Sequence, residues 1–323
     1  MGAADTGPTR VVEDLTTVPS LAAIYARQVP AALASMVKAV LVRQRGAASG
    51  PRTGALPDVG YRARGLRVDP ARLTDFAHLT RAPGSDRLSP GFVHATVFPV
   101  AMALLARDDF PLPLAGLVHL ENRWQQRRPL TLASVMTVTT WAEGLRPHRS
   151  GTLVDVVSEI SDMADGGTEA GQPVAVDRST YLARGHRPPD AAREPRQATD
   201  RAAAGEFTPP VPTGQWRLGT DAGRRFAAVS GDWNPIHLSA PTARLLGMKG
   251  AIAHGMFTAS RGLATIRLPE AYTWDVAFAA PVVLPATVAV RVDGRPEDAE
   301  GARFIGWNPR SERLHLTATV TAD

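Results

Sequence analysis

Ser230-Gly231-Asp232-Trp233-Asn234-Pro235-Ile236-His237, followed by Ala253-His254-Gly255-Met256-Phe257-Thr258, is the part of the chain that carries most information. The first run lies between two stretches of helical spacing, Phe226, Ala227 and Val229 before it and Ala243, Leu245 and Leu246 after it. Gly231-Asp232 and Asn234-Pro235 mark turns between them. Asp232 and His237 are too far apart to stack on one ideal helical turn. A turn closed by Pro235 brings both side chains to one pocket. A carboxylate and an imidazole that share a water form an acid–base device. The same residues also fit a helix-capping aspartate and a surface histidine, and residue chemistry by itself leaves both readings open. Gly255 stands where the next helical pattern starts. An amide there, at the positive end of the helix dipole, can approach a carbonyl oxygen; a glycine packed where a helix crosses a strand fits equally.

Outward from this stretch, the chain resembles itself. Leu73 to Thr80 parallels Arg224 to Ser230, and Arg128 to Val135 parallels Ala280 to Val288. Val93-His94-Ala95 opens an apolar helix as Ala253-His254-Gly255 does. In each half a β-rich region follows, Met136 to Trp141 and Leu153 to Ile160 in the first, Val288 to Val292 and Leu314 to Val320 in the second. Leu314, Leu316, Ala318 and Val320 alternate as strand residues do. Each half therefore reads as strand, apolar helix and antiparallel meander, an α+β arrangement with the helix on one sheet face. Ahead of the repeats, Leu21 to Val42 shows helical spacing, interrupted at Pro30. Between them, Gly185 to Gly214 holds six prolines, Pro188, Pro189, Pro195, Pro209, Pro210 and Pro212, and reads as a linker.

Composition narrows the function. A chain of 323 residues suits two domains or a duplicated one, and a 44% hydrophobic share supports a sizeable core. No apolar run of membrane-spanning length occurs. The first residues lack the basic-then-apolar order of a signal peptide, so the cytoplasm is the expected compartment. Cysteine is absent, which excludes disulfides, thiolate metal sites and a cysteine nucleophile. The net charge of +5 comes from scattered arginines, Lys38 and Lys249 being the only lysines. Arginines dispersed beside acids, without aromatic interleaving, argue against a nucleic-acid partner. A mild positive field suits an anionic ligand tail.

The run S-G-D-x-N-P-x-H, then A-x-x-x-G, then A-H-G-M, over Phe226 to Thr258, resembles the MaoC-like, (R)-specific enoyl-CoA hydratases. Phe278 to Val288, with Pro281, Leu284 and Pro285, is similar to that family's strand after the helix. The first half, with Phe110-Pro111-Leu112-Pro113 and Gly116-Leu117-Val118-His119, is similar to the degenerate repeat of double hot-dog acyl dehydratases of actinobacterial type. The resemblance covers the chain from about residue 55. It implies a double hot-dog fold, each repeat a long helix wrapped by an antiparallel sheet. The organisation it implies is a helical extension over 1–54, a degenerate repeat over 55–187, a Pro/Arg-rich linker over 188–213 and a catalytic repeat over 214–323.

For function, the resemblance implies that Asp232 and His237 bind and activate a water, with Asn234 in support. The Gly255 amide would hold the thioester carbonyl, and Ser230, Gly231, His254 and Met256 would lie along the substrate. The implied reaction is reversible hydration of a trans-2-enoyl thioester of coenzyme A or acyl-carrier protein. A thioesterase of the same fold is the alternative that the intact D-x-N-P-x-H run opposes. A non-catalytic acyl-binding subunit is the alternative that the first half favours, since no acid–base pair is legible there. A homodimer stays open. No cofactor or metal is signalled: Walker, dinucleotide-binding, H-E-x-x-H and nucleophile-elbow patterns are absent. His78, His94, His119, His148, His186 and His315 lack metal-ligand spacing and read as packing or surface residues.

Matching the halves by residue type gives 94 − 76 = 18 positions from Phe76 to His94 and 254 − 226 = 28 from Phe226 to His254. That places an insertion of 28 − 18 = 10 residues in the second half and sets Ala95 opposite Gly255. One active site per chain follows, with Val97, Val100, Met102 and Leu104 as acyl-channel lining or ordinary core.

Overall fold

The structure, a computed structural model, describes residues 10–27, 54–114, 116–163, 172–186 and 207–323. Strand β1 (Val11–Asp14) pairs in parallel with β2 (Val59–Arg67) at one edge. Helix α1 (Pro70–Thr80) then starts at Asp69, whose carboxylate accepts from the Ala71 amide at 2.9 Å. Pro70 sits at the first helical position, where its missing N–H has no cost. Helix α2 (Pro90–Leu105) repeats the device with Ser89 and Pro90. It is apolar on every side, which fits only a helix surrounded by other elements. Strands β3 (Leu117–Gln126), β4 (Val135–His148), β5 (Gly151–Asp162) and β6 (Ala175–Arg184) complete the first half.

The second half runs β7 (Gly214–Leu218), α3 (Ala222–Ser230), α4 (Pro235–Leu238), α5 (Ala240–Leu245), α6 (Gly255–Leu263), β8 (Tyr272–Phe278), β9 (Ala286–Asp293), β10 (Ala302–Trp307) and β11 (Leu314–Ala322). Among the described residues all eleven strands form one sheet, β1-β2-β4-β5-β6-β3-β8-β11-β10-β9-β7. Apart from β1, each half contributes its strands in the same order, and the halves meet where β3 pairs antiparallel with β8. Trp124 lies opposite Trp274 across that seam, and both are buried. The internal similarity of the sequence is thus a duplicated fold, two helices wrapped by one curved sheet in the hot-dog manner.

The central helices α2 and α6 touch at a glycine. A Cβ on Gly91 would sit 1.9 Å from Ser260 Oγ and 3.0 Å from its Cβ, so a larger residue there requires Ser260 to shift. Phe76 of α1 meets Phe92 at 5.4 Å and Phe226 of α3 at 6.0 Å between ring centres, joining both halves in one core.

Two expectations change. Helix α2 begins at Pro90, so Ala95 lies within its helix and not at the start as Gly255 does. Matching His94 with His254 misled because α2 has sixteen residues and α6 nine. Between α1 and α2 there are 90 − 80 − 1 = 9 residues, and between α3 and α6 there are 255 − 230 − 1 = 24, so the insertion is 24 − 9 = 15 residues. Secondly, Phe278 to Val288 is not one strand: β8 ends at Phe278, β9 begins at Ala286, and Pro281 and Pro285 lie in the connection, where no ladder donor is needed. Val97, Val100, Met102 and Leu104 are buried in the apolar clusters, in keeping with the core reading of the two that the sequence left open. Residues 21–27 are helical. The rest of the expected Leu21–Val42 helix, and most of the proline-rich linker, lie outside the described residues. Among those described, no helix is long and apolar enough to cross a membrane.

Candidate active site

Helix α3 ends because Gly231 adopts a left-handed conformation, φ 79°, with its N–H on the Ala227 carbonyl. The chain then turns sharply through Asp232 and Trp233. Ser230 Oγ donates to the Phe226 carbonyl at 2.8 Å and accepts from the Asp232 amide at 3.2 Å, which fixes the start of the turn. Asn234 fixes its end: its side-chain oxygen accepts from the Ile236 amide at 3.3 Å and caps α4. Arg72 of α1 reaches across from the first half. Its Nε donates to Val229 O at 2.6 Å, and its Nη2 donates to Ala95 O at 3.2 Å and Ser230 O at 3.3 Å.

The turn brings Asp232 to His237 and to His254. One polar atom of each of the three lies within 4.8 Å of the others. A single water, with hydrogen bonds of about 2.8 Å, spans such a gap. His237 is buried, and its Nδ1–H donates to the Ile252 carbonyl at 2.9 Å, which leaves Nε2 as its free nitrogen. The His254 ring stacks on it, 3.5 Å between centres and 22° between planes. His254 Nε2–H donates to the Asp232 backbone carbonyl at 3.0 Å. Asp232 Oδ1 accepts from the Asn234 amide at 3.2 Å and from the Tyr25 hydroxyl at 2.6 Å. Asp232 Oδ2 is 3.6 Å from His254 Nε2 and makes no hydrogen bond among the described residues.

Burial pushes the Asp232 carboxyl up, but His254, His237 and the donors Tyr25 and Asn234 outweigh it and hold it below the usual carboxylate range. Burial pulls His237 below the ordinary imidazole value, partly countered by Asp232. His254 is pulled down to about 3, by burial first and by His237 second. At neutral pH the site therefore holds a carboxylate and two neutral imidazoles. The sign for stability follows from linkage. A buried imidazole with a lowered pKa contributes fully above the unfolded value of about 6.5, and that contribution is lost as pH falls towards the folded value. We expect thermal melts to show Tm falling between pH 7 and pH 5, with a smaller fall in a His254→Phe variant. A wild-type Tm unchanged over that window would contradict the buried neutral pair.

Gly255 is the first residue of α6, so its N–H has no partner within the helix. A Cβ there would lie 2.9 Å from the Phe278 ring, which presses against this helix start. Met256, by contrast, is buried in the shared core.

A family model described as a MaoC like domain matches residues 195–297. The 3-hydroxyacyl-thioester dehydratase X of Mycobacterium tuberculosis is 35% identical over 277 residues, covering 84% of this chain and 91% of that protein. The chain belongs to the MaoC-like dehydratase family. Its membership makes it a hydro-lyase, an enzyme that adds or removes water. The crystal structure of M. tuberculosis HtdX superposes with a TM-score of 0.68 at 32% identity, covering 82% of this chain and all of that one. A MaoC-like dehydratase from Phytophthora capsici, 17% identical, gives 0.58 over 82% of this chain and 95% of its own, and confirms the hot-dog fold.

Asp232, His237 and His254 also form the one cluster among the described residues with metal-ligand composition. Its geometry fits an ion poorly. Ligand lone pairs lie in the imidazole planes, and two nearly parallel rings do not converge on a common centre.

The turn of this MaoC-like dehydratase gathers Asp232, Asn234, His237 and His254 and sets Gly255 beside them. Ser230 and Gly231 shape the turn. Two features were not legible in the sequence. Tyr25, from the N-terminal extension, lies 207 positions from the carboxylate it touches, and an alanine-rich helical pattern gave no sign of a polar role. In the first half, His94 bonds Asp177, so a buried imidazole–carboxylate pair exists where none was expected. Its members are 83 positions apart and form no local motif.

Proposed function

We propose that the chain catalyses reversible, (R)-specific hydration of trans-2-enoyl thioesters to 3-hydroxyacyl thioesters, carried by coenzyme A or acyl-carrier protein. The convergence of Asp232 and the free Nε2 of His237 beside the Gly255 helix start carries this reading. The name of the mycobacterial relative, a 3-hydroxyacyl-thioester dehydratase, supports it.

Water sits between the carboxylate and His237 Nε2. Its oxygen bonds to C3, and its proton passes to the Asp232–His237 pair. The C2–C3 π electrons move to the thioester oxygen, where the Gly255 N–H meets the developing negative charge. Losing one such donor costs about 100- to 1,000-fold in rate. The enolate then collapses as the Asp232–His237 pair returns that proton to C2, which regenerates the pair, and dehydration is the reverse. Because one wall holds both water and activators, one face of C3 is attacked. Chiral analysis of the 3-hydroxyacyl product should show the (R) isomer, and a predominantly (S) product would overturn the assignment.

Tyr25 acts on the carboxylate, not on the substrate. Its hydroxyl occupies Asp232 Oδ1 and leaves Oδ2 for the water. Hydrogen bonds to charged groups are worth about 1.5–3 kcal/mol. We expect Tyr25→Phe to lower kcat about tenfold or more with KM nearly unchanged and a modest fall in Tm. Wild-type kcat in that variant would show that the contact has no catalytic consequence.

A further inference from the structure

The first half holds a second buried imidazole–carboxylate contact. His94 Nδ1 and Asp177 Oδ2 are 2.7 Å apart, with both side chains buried. The Asn122 amide donates to Asp177 Oδ1 at 2.6 Å and to Ser179 Oγ at 3.1 Å. Burial pushes Asp177 up, but His94 and Asn122 outweigh it and hold the carboxyl below its usual range. A buried charge so completely partnered fixes whatever rests on it. What rests on His94 is the ring of His119, at 5.8 Å and 11°, and on His119 lies Tyr181, at 4.8 Å and 23°. Burial holds His119 down to about 3, so it is a neutral imidazole.

His119 Nε2 is buried without a partner, and the Tyr181 hydroxyl has only Ser179 near it, outside good hydrogen-bond geometry. An unpartnered buried polar atom is unfavourable unless something arrives to satisfy it. The stack adjoins the reaction centre through one ring. The His119 ring lies 5.2 Å from Phe278, the ring that presses on Gly255. Tyr181 also belongs to the buried apolar cluster that holds Leu104, Leu105 and Phe110. A hydrophilic pantetheine arm is unfavourable beside such a cluster, so a substrate group that reaches it comes from the acyl side of the thioester.

We infer that His119 Nε2 and the Tyr181 hydroxyl form a polar subsite for a hydroxyl or keto oxygen carried by the acyl chain beyond C3. The inference rests on the hydratase reading above. Tyr181 can donate or accept, and a neutral imidazole nitrogen can complete the pair, so either oxygen type can be bonded. A site built to bond a substrate oxygen discriminates strongly against the analogue lacking it, because its own buried groups are then left unpaired.

The test compares kcat/KM for trans-2-octenoyl-CoA with its 5-hydroxy, 7-hydroxy and 7-oxo derivatives. The wild type should favour at least one oxygenated chain by about tenfold or more. Tyr181→Phe, which removes one atom and keeps the packing, and His119→Leu should each bring that ratio close to one. Equal use of plain and oxygenated chains by the wild type would overturn the subsite, as would a preference that survives both substitutions. Those outcomes would mean that the two atoms bond only bound water. If octenoyl-CoA and its derivatives all fail to turn over, the hydratase reading itself falls, and the subsite with it.

Discussion

Replacing His237 with alanine, or Asp232 with asparagine, is expected to lower kcat for octenoyl-CoA hydration by at least about a hundredfold, the usual scale for a positioned acid–base group. Each variant removes one of the two groups that hold the water. Neither should unfold the protein. Asp232→Asn keeps an oxygen that can accept from Tyr25 and the Asn234 amide, the two donors that now meet Oδ1. His237→Ala releases only one side-chain hydrogen bond, that to Ile252 O. The two losses should also be far from additive, because a water held by one group alone is not activated. Steady-state kinetics with far-UV circular dichroism on the single and double variants measures both points. Near wild-type kcat in either folded single variant would remove the acid–base assignment.

The second large effect comes from a residue with no functional group. Gly223 lies on α3, and a Cβ there would be 2.0 Å from the His237 carbonyl oxygen and 3.0 Å from its carbonyl carbon. Both are backbone atoms, so no rotamer change relieves the overlap. Gly223→Ala must push α4 away from α3 and carry His237 with it. Overpacking of this kind costs about 1–3 kcal/mol of stability, and a displacement near 1 Å at a reacting group costs about a hundredfold in rate. We expect a lowered Tm together with a kcat loss comparable to that of His237→Ala, while the same substitution at exposed Gly84, where a Cβ meets nothing within 4 Å, is neutral. A fully active Gly223→Ala enzyme would show that the α3–α4 contact does not set the position of His237.

The fold was legible because duplication writes the same pattern twice. Leu73 to Thr80 and Arg224 to Ser230 do form matching helices, α1 and α3, and the β-rich regions do form strands in one order on both sides of the seam. The short, local turn was legible for a different reason: Asp232, Asn234, Pro235 and His237 lie close in sequence, and each has a recognisable turn or acid–base character. Alignment within the repeat failed where it depended on residue type. The shared histidine of Val93-His94-Ala95 and Ala253-His254-Gly255 sits inside a helix in one half and caps a helix in the other. What remained illegible is what only tertiary structure assembles. Tyr25 on Asp232, Arg72 on the end of α3, and Asp177 under His94 each bridge distant segments. No periodicity or spacing in one chain encodes such contacts.

The most direct test of the central claim is to follow the oxygen. Incubating the enzyme with trans-2-octenoyl-CoA in ¹⁸O-labelled water and analysing the product by mass spectrometry locates the bond that water forms. Attack at C3, by a water held between Asp232 and His237, predicts one label on the C3 hydroxyl of an intact 3-hydroxyoctanoyl-CoA. Label in a free octenoic acid carboxylate, with coenzyme A released, would mean that water attacks C1, and would contradict the account.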